Sequence, residues 1–257
     1  MKKNMFFLIF WSLVFNSICL SQGIIHLDIS TSTDTVDFII TNKWGKRTGN
    51  DPRGTGIKYN EIPGAGYGAE GYGDNPWFNV FLLSMVSPQD DGVYEIKLIA
   101  SELSKFTCTV DTRPESNGPL FKKELNTFLD KNSEMTYKFT YYGTPGVPAK
   151  VEKVIAITSL GQDITTGGKL NLVGNQTFVN SLQLLCSQMV TFFNAGNKVQ
   201  AYNKLSSLKY QIQNAYTNPT GSQFVNDYAY TVLMEDITLT FVLINCTTCE
   251  STERIQK

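Results

Sequence analysis

Apolar and polar residues alternate at period two through most of the first 158 residues of the chain. Ile25-His-Leu-Asp-Ile29 alternates strictly, and further runs of this kind occupy residues 36–42, 93–99, 106–110, 136–142 and 151–157. β-Branched and aromatic residues at that period predict half-buried antiparallel strands. One interruption is expected, a short helix over residues 119–131 that brings Leu120, Leu125, Phe128 and Leu129 towards one face.

The period then changes. Phe178, Leu182, Leu185, Met189 and Phe192 recur at spacings of four, three, four and three, which is an apolar stripe on a helix. Asn194-Ala-Gly-Asn197 breaks it, and Val199, Tyr202, Leu205, Leu208, Ile212 and Tyr216 form a second stripe that ends at Asn218-Pro219. Two helices around a four-residue break predict an antiparallel hairpin. Such stripes are read as core. A third helix is expected from Ser222 to about Met234. The β-branched run Ile237-Thr-Leu-Thr-Phe-Val-Leu-Ile244 is expected to be a final strand. The fold class is therefore α+β: an antiparallel β-rich N-terminal part over residues 22–172, then a helical hairpin and a C-terminal strand over 173–257, in one continuous domain.

The start of the chain follows neither period. Lys2 and Lys3 precede the apolar run Met5-Phe-Phe-Leu-Ile-Phe-Trp-Ser-Leu-Val-Phe15, and the small, polar stretch Asn16-Ser-Ile-Cys-Leu-Ser-Gln22 follows. That order is the layout of a signal peptide over residues 1–21. The apolar run is shorter than the roughly 20 residues that span a bilayer. The leader resembles those of bacterial exported proteins, so the expected location is secreted or periplasmic. In a eukaryotic source, Asn175-Gln-Thr177 and Asn245-Cys-Thr247 would match the glycosylation acceptor pattern. Cys19 leaves with the leader, and export makes disulfides plausible for Cys108, Cys186, Cys246 and Cys249. The preferred pairing joins Cys246 to Cys249 and Cys108 to Cys186.

Charge removes further classes. The net charge is −1 with scattered Lys and Arg, so no basic stripe for nucleic acid is expected. No membrane span is expected after leader cleavage. The single histidine, His26, lies in a strand-like run, which leaves little for triad chemistry. One histidine and a Cys-x-x-Cys make half a zinc site, and no acidic run has calcium-loop spacing. Neither a metal nor a cofactor is expected.

The most unusual internal segment runs from Trp44 to Trp77, rich in glycine and carrying two Gly-Tyr-Gly units in Gly66-Tyr-Gly-Ala-Glu-Gly-Tyr-Gly73. It is expected to be a long loop without structure of its own, a kind of segment that is usually functional when ordered. Trp44, Tyr67, Tyr72 and Trp77 would offer flat faces for sugar rings, and Glu70, Asp74 and Asn75 polar partners. The alternative is a structural segment whose aromatics pack onto the sheet. The chain is accordingly expected to be an exported binding or interaction protein, recognising a glycan or another exported protein. The competing readings are a hydrolase of polysaccharide or cell wall using paired carboxylates, drawn from Glu61, Glu70, Asp74, Glu95 and Glu235, and an assembly protein without a ligand pocket.

Overall fold

The computed structural model describes residues 25–54, 56–70, 78–85, 91–114, 121–142 and 147–245. The segment expected to be a signal peptide, Tyr72, Asp74, Asn75, Trp77, Cys246 and Cys249 lie outside the described residues, as does the side chain of Glu70. The class is α+β, with strands first and helices after them.

Eleven strands form two antiparallel sheets. The five-stranded sheet has the order β5(Ala65–Glu70)-β6(Phe78–Met85)-β1(Ile25–Thr31)-β8(Ser104–Pro114)-β9(Phe121–Leu129). The six-stranded sheet has the order β11(Lys150–Val154)-β10(Glu134–Tyr141)-β7(Gly92–Ala100)-β2(Val36–Thr41)-β3(Arg47–Asp51)-β4(Ile57–Asn60). Alternation decides which side chains enter the space between them. In β10, Met135, Tyr137, Phe139 and Tyr141 are buried while their neighbours are not. They share one core with Tyr94, Ile96 and Leu98 of β7 and with Phe106, Cys108 and Val110 of β8 in the opposite sheet. The first half is thus a β-sandwich with a core contributed by both inner faces.

Four helices follow: α1(Ser159–Lys169), α2(Gln176–Asn194), α3(Lys198–Thr217) and α4(Asp227–Ile244). Asn175, Asn197 and Asn226 cap α2, α3 and α4, each side-chain oxygen accepting the backbone N–H three residues on. The expected stripes on α2 and α3 bury Phe178, Leu182 and Met189 against Leu205, Leu208 and Ile212. No described helix is long and apolar enough to cross a membrane.

Three elements differ from the sequence reading. Residues 121–129 form β9, not part of a helix. Leu125 and Leu129 enter the sandwich core while Phe128 enters the helical core, so the C-terminal end of the strand is buried on both faces and loses its period-two signature. Residues 237–244 are not a strand but the second half of α4, which continues the third helix without a break. Helix α1 was not foreseen at all, because Gly161, Thr165, Thr166, Gly167 and Gly168 are weak helix formers. Its glycines are there for packing. A Cβ on Gly168 would come within 2.8 Å of Val179, and one on Gly167 within 3.0 Å of Val173.

Candidate functional site

The Gly/Tyr segment is not an unstructured loop: β3, β4 and β5 lie within it. Gly49 in β3 has φ 133°, and a Cβ there would lie 2.0 Å from the carbonyl oxygen of Phe38, so the residue allows close strand approach. Tyr67 of β5 meets Phe38 edge-on, with ring centroids 5.1 Å apart, and its hydroxyl donates to Asp37. That bond lowers the Asp37 pKa, but burial acts more strongly and leaves it above the usual carboxylate value. Burial, followed by the bond to Asp37, pushes the Tyr67 hydroxyl upward in turn. Trp44, by contrast, is exposed in the β2–β3 turn, with the Lys43 ammonium 4.6 Å from its ring centroid. The two described aromatics of the expected platform therefore do different things: Trp44 faces solvent and Tyr67 packs onto the sandwich.

The cysteine pairing also changes. Cys108 and Cys186 are free and buried, one in the sandwich core and one among the helices, so they form no disulfide with each other. Burial pushes both thiols up to about 12, which makes them poor nucleophiles.

A concavity lies where sandwich and helices meet. It has a volume of about 760 Å³ and is bounded by the β9–β10 turn, the end of β11 and α1. Four of its side chains, Lys131, Asn132, Thr136 and Gln162, make no hydrogen bond to described residues. Lys153 and Asp163 also line it.

Lys153 belongs to β11, Asp163 to α1 and Asp236 to α4. The Lys153 ammonium donates to Asp163 Oδ2 at 3.1 Å and to Asp236 Oδ1. Its side chain is 1% exposed, that of Asp163 7% and that of Asp236 0%. Two carboxylates face one ammonium, so a fully ionised cluster would bury one surplus negative charge. Burial, with the Asp163 carboxylate beside it, raises the Asp236 pKa well above its usual value despite the opposing pull of Lys153. Desolvation opposes the charge on Lys153, but the two aspartates outweigh it and hold its pKa above the usual value. Asp236 Oδ2 has no hydrogen-bond partner among the described residues, nor has the buried Tyr137 hydroxyl on β10.

A second polar tie joins α4 to β9. The Tyr228 hydroxyl of α4 accepts the Thr127 N–H of β9 at 2.9 Å and faces the backbone carbonyls of Phe106 and Thr127 as a donor.

No family model and no curated protein matches the chain. Among solved structures it is similar to a domain of unknown function, DUF4425, from Bacteroides vulgatus, with 17% identity over 52% of this chain and 97% of that one. The TM-score is 0.21, and an overlap that low bears on neither fold nor function.

None of the carboxylates singled out from the sequence takes part in the buried cluster. Glu61 instead accepts the Arg47 backbone N–H and pairs with its guanidinium. Asp236 left a signal that went unread. It shares a helical stripe with Val232, Leu233, Ile237, Thr240 and Ile244, all buried, where an acid needs a partner. Asp163 sits in the unforeseen helix, and Lys153 occupies an inward position of an alternating strand. Only the fold joins the three.

Proposed function

We propose that this protein is an exported binding protein and that the cleft between sandwich and helices is its ligand seat. The carrying observation is the group of four uncommitted polar side chains around a cavity of a size that suits small ligands. Lys131 and Asn132 come from the β9–β10 turn, Thr136 from β10 and Gln162 from α1. Between them they offer an ammonium that donates, and two carboxamides and a hydroxyl that both donate and accept. That chemistry suits a short, hydroxyl-rich ligand such as a glycan unit held edge-on by hydrogen bonds. Phe128, the aromatic residue of the lining, is fully buried, so stacking contributes nothing here. Export rests on the charge, apolar and small-residue order of residues 1–21.

The hydrolytic reading has less support. Paired carboxylates must both reach the scissile bond. Asp236 is sealed at 0% exposure, and Lys153 holds both acids.

A binding screen of glycans and cell-wall polymers on the mature chain tests the proposal, with T136A/Q162A and W44A as variants. A ligand lost in T136A/Q162A and kept in W44A, with unchanged melting, supports the cleft. Loss in W44A alone would move the site to the β2–β3 turn. No binding in any case would leave the assembly reading standing.

A further inference from the structure

Beyond what the cleft holds, the ion cluster beneath it ties three elements, β11, α1 and α4, together through one buried ammonium and two carboxylates. We propose that Asp236 is protonated in the folded protein and that this proton is a pH-sensitive latch between the helical layer and the sandwich. The geometry sets the charge count. Lys153 balances one of its two aspartates, and the second is sealed in the middle of α4's buried stripe with Oδ2 unpaired. A proton on that oxygen brings the cluster to neutrality without moving an element.

Among the described residues no cation other than Lys153 acts on Asp236. Tyr137 of β10 faces Asp163 and Asp236 from the sandwich, and Cys108 of β8 and Glu235 of α4 act on Tyr137 in turn. None of these is a positive charge. Tyr137, raised well above its usual value by burial, stays neutral.

The direction follows from linkage. A carboxyl whose folded pKa lies above its unfolded one gives stability that is complete below the unfolded value, 3.8, and is lost as pH rises through the folded value. Within that window the latch proton lowers the folding constant about tenfold per pH unit. Asp37, raised by burial at the far side of the sandwich, adds a slope of the same sign, so the measured quantity is the difference between wild type and D236N. Lys153, also raised, acts in a separate window, because its contribution disappears only above 10.5.

The experiment is denaturant unfolding of the full chain, followed by helical circular dichroism at a series of pH values from 4 to 9. Wild type, D236N and D163N are compared, and the infrared carbonyl band of a protonated carboxyl is recorded for each at pH 7. Asparagine keeps the shape of the protonated acid without its proton. The expected result is a shallower pH slope in D236N, by up to one proton, and a carbonyl band in wild type that is lost in D236N and also in D163N, where Asp236 alone balances Lys153. An unchanged slope in D236N overturns the proposal, and so does a wild type without the band. If D236N does not fold, the wild-type band alone decides. A band that D236N keeps belongs to another carboxyl, and the assignment to Asp236 is then wrong.

Discussion

At the residue scale, two positions in the former Gly/Tyr loop carry separate expectations. Gly49→Ala combines a backbone conformation that L side chains rarely adopt with a Cβ 2.0 Å from a carbonyl oxygen. It is expected to cost on the order of 3 kcal/mol or more, measured by denaturant unfolding. Tyr67→Phe keeps the ring against Phe38 and removes only the bond to Asp37. A hydrogen bond to a charged group contributes about 1.5–3 kcal/mol when buried, and the partial exposure here places the expected loss near the lower end. The loss depends on pH. Without Tyr67 the raised Asp37 pKa moves higher still, so stability lost as pH rises becomes larger. Y67F should therefore cost more at pH 8 than at pH 4. An equal cost at both would mean that the hydroxyl does not serve the Asp37 carboxylate.

At the scale of elements, Phe128 shows why some of the fold was legible and some was not. It occupies the outer face of β9 and is fully buried among the helices, so Phe128→Ala should cost roughly 3–5 kcal/mol and loosen both lobes. Thermal melting followed by helical circular dichroism checks this. Strands covered on one face, such as β2, β7 and β10, could be read because water on the other face enforces alternation. The C-terminal end of β9 is covered on both faces, and its apolar residues crowd there into a pattern that imitates a helix. α4 produced the opposite confusion. Its Thr-rich, β-branched run resembles a strand, yet the Asn226 cap and a stripe of core residues from Ala229 to Ile244 make it a helix. Helix α1 escaped notice because close packing against Val173 and Val179 asks for glycine where propensity asks for alanine. The candidate site suffered most, since its cluster draws one residue from each of β11, α1 and α4, and two of those elements were misread.

At the scale of the whole molecule, the sandwich and the helical layer each have a core of their own, and what joins them is a mixture of apolar and polar contacts. Phe128 and the Tyr228 hydroxyl bridge at β9, and Lys153 bridges at β11. The joint is conditional because the Lys153 bridge is charged. Lys153→Met would leave Asp163 and Asp236 facing each other in a dry site without a counter-ion. Breaking a buried pair in this way is expected to cost about 3–5 kcal/mol near neutral pH. The cost should shrink towards pH 4, because both acids can then be neutral and two protonated carboxyls bury without net charge. K153M/D163N/D236N removes every charge from the joint. It should recover much of the loss at pH 7 and lose the pH dependence that K153M shows. Unfolding midpoints of wild type, K153M and the triple variant at pH 4.5 and 7.5 measure this directly. If K153M is equally unstable at both pH values, the lysine acts by filling space, and charge balance does not hold the two layers together.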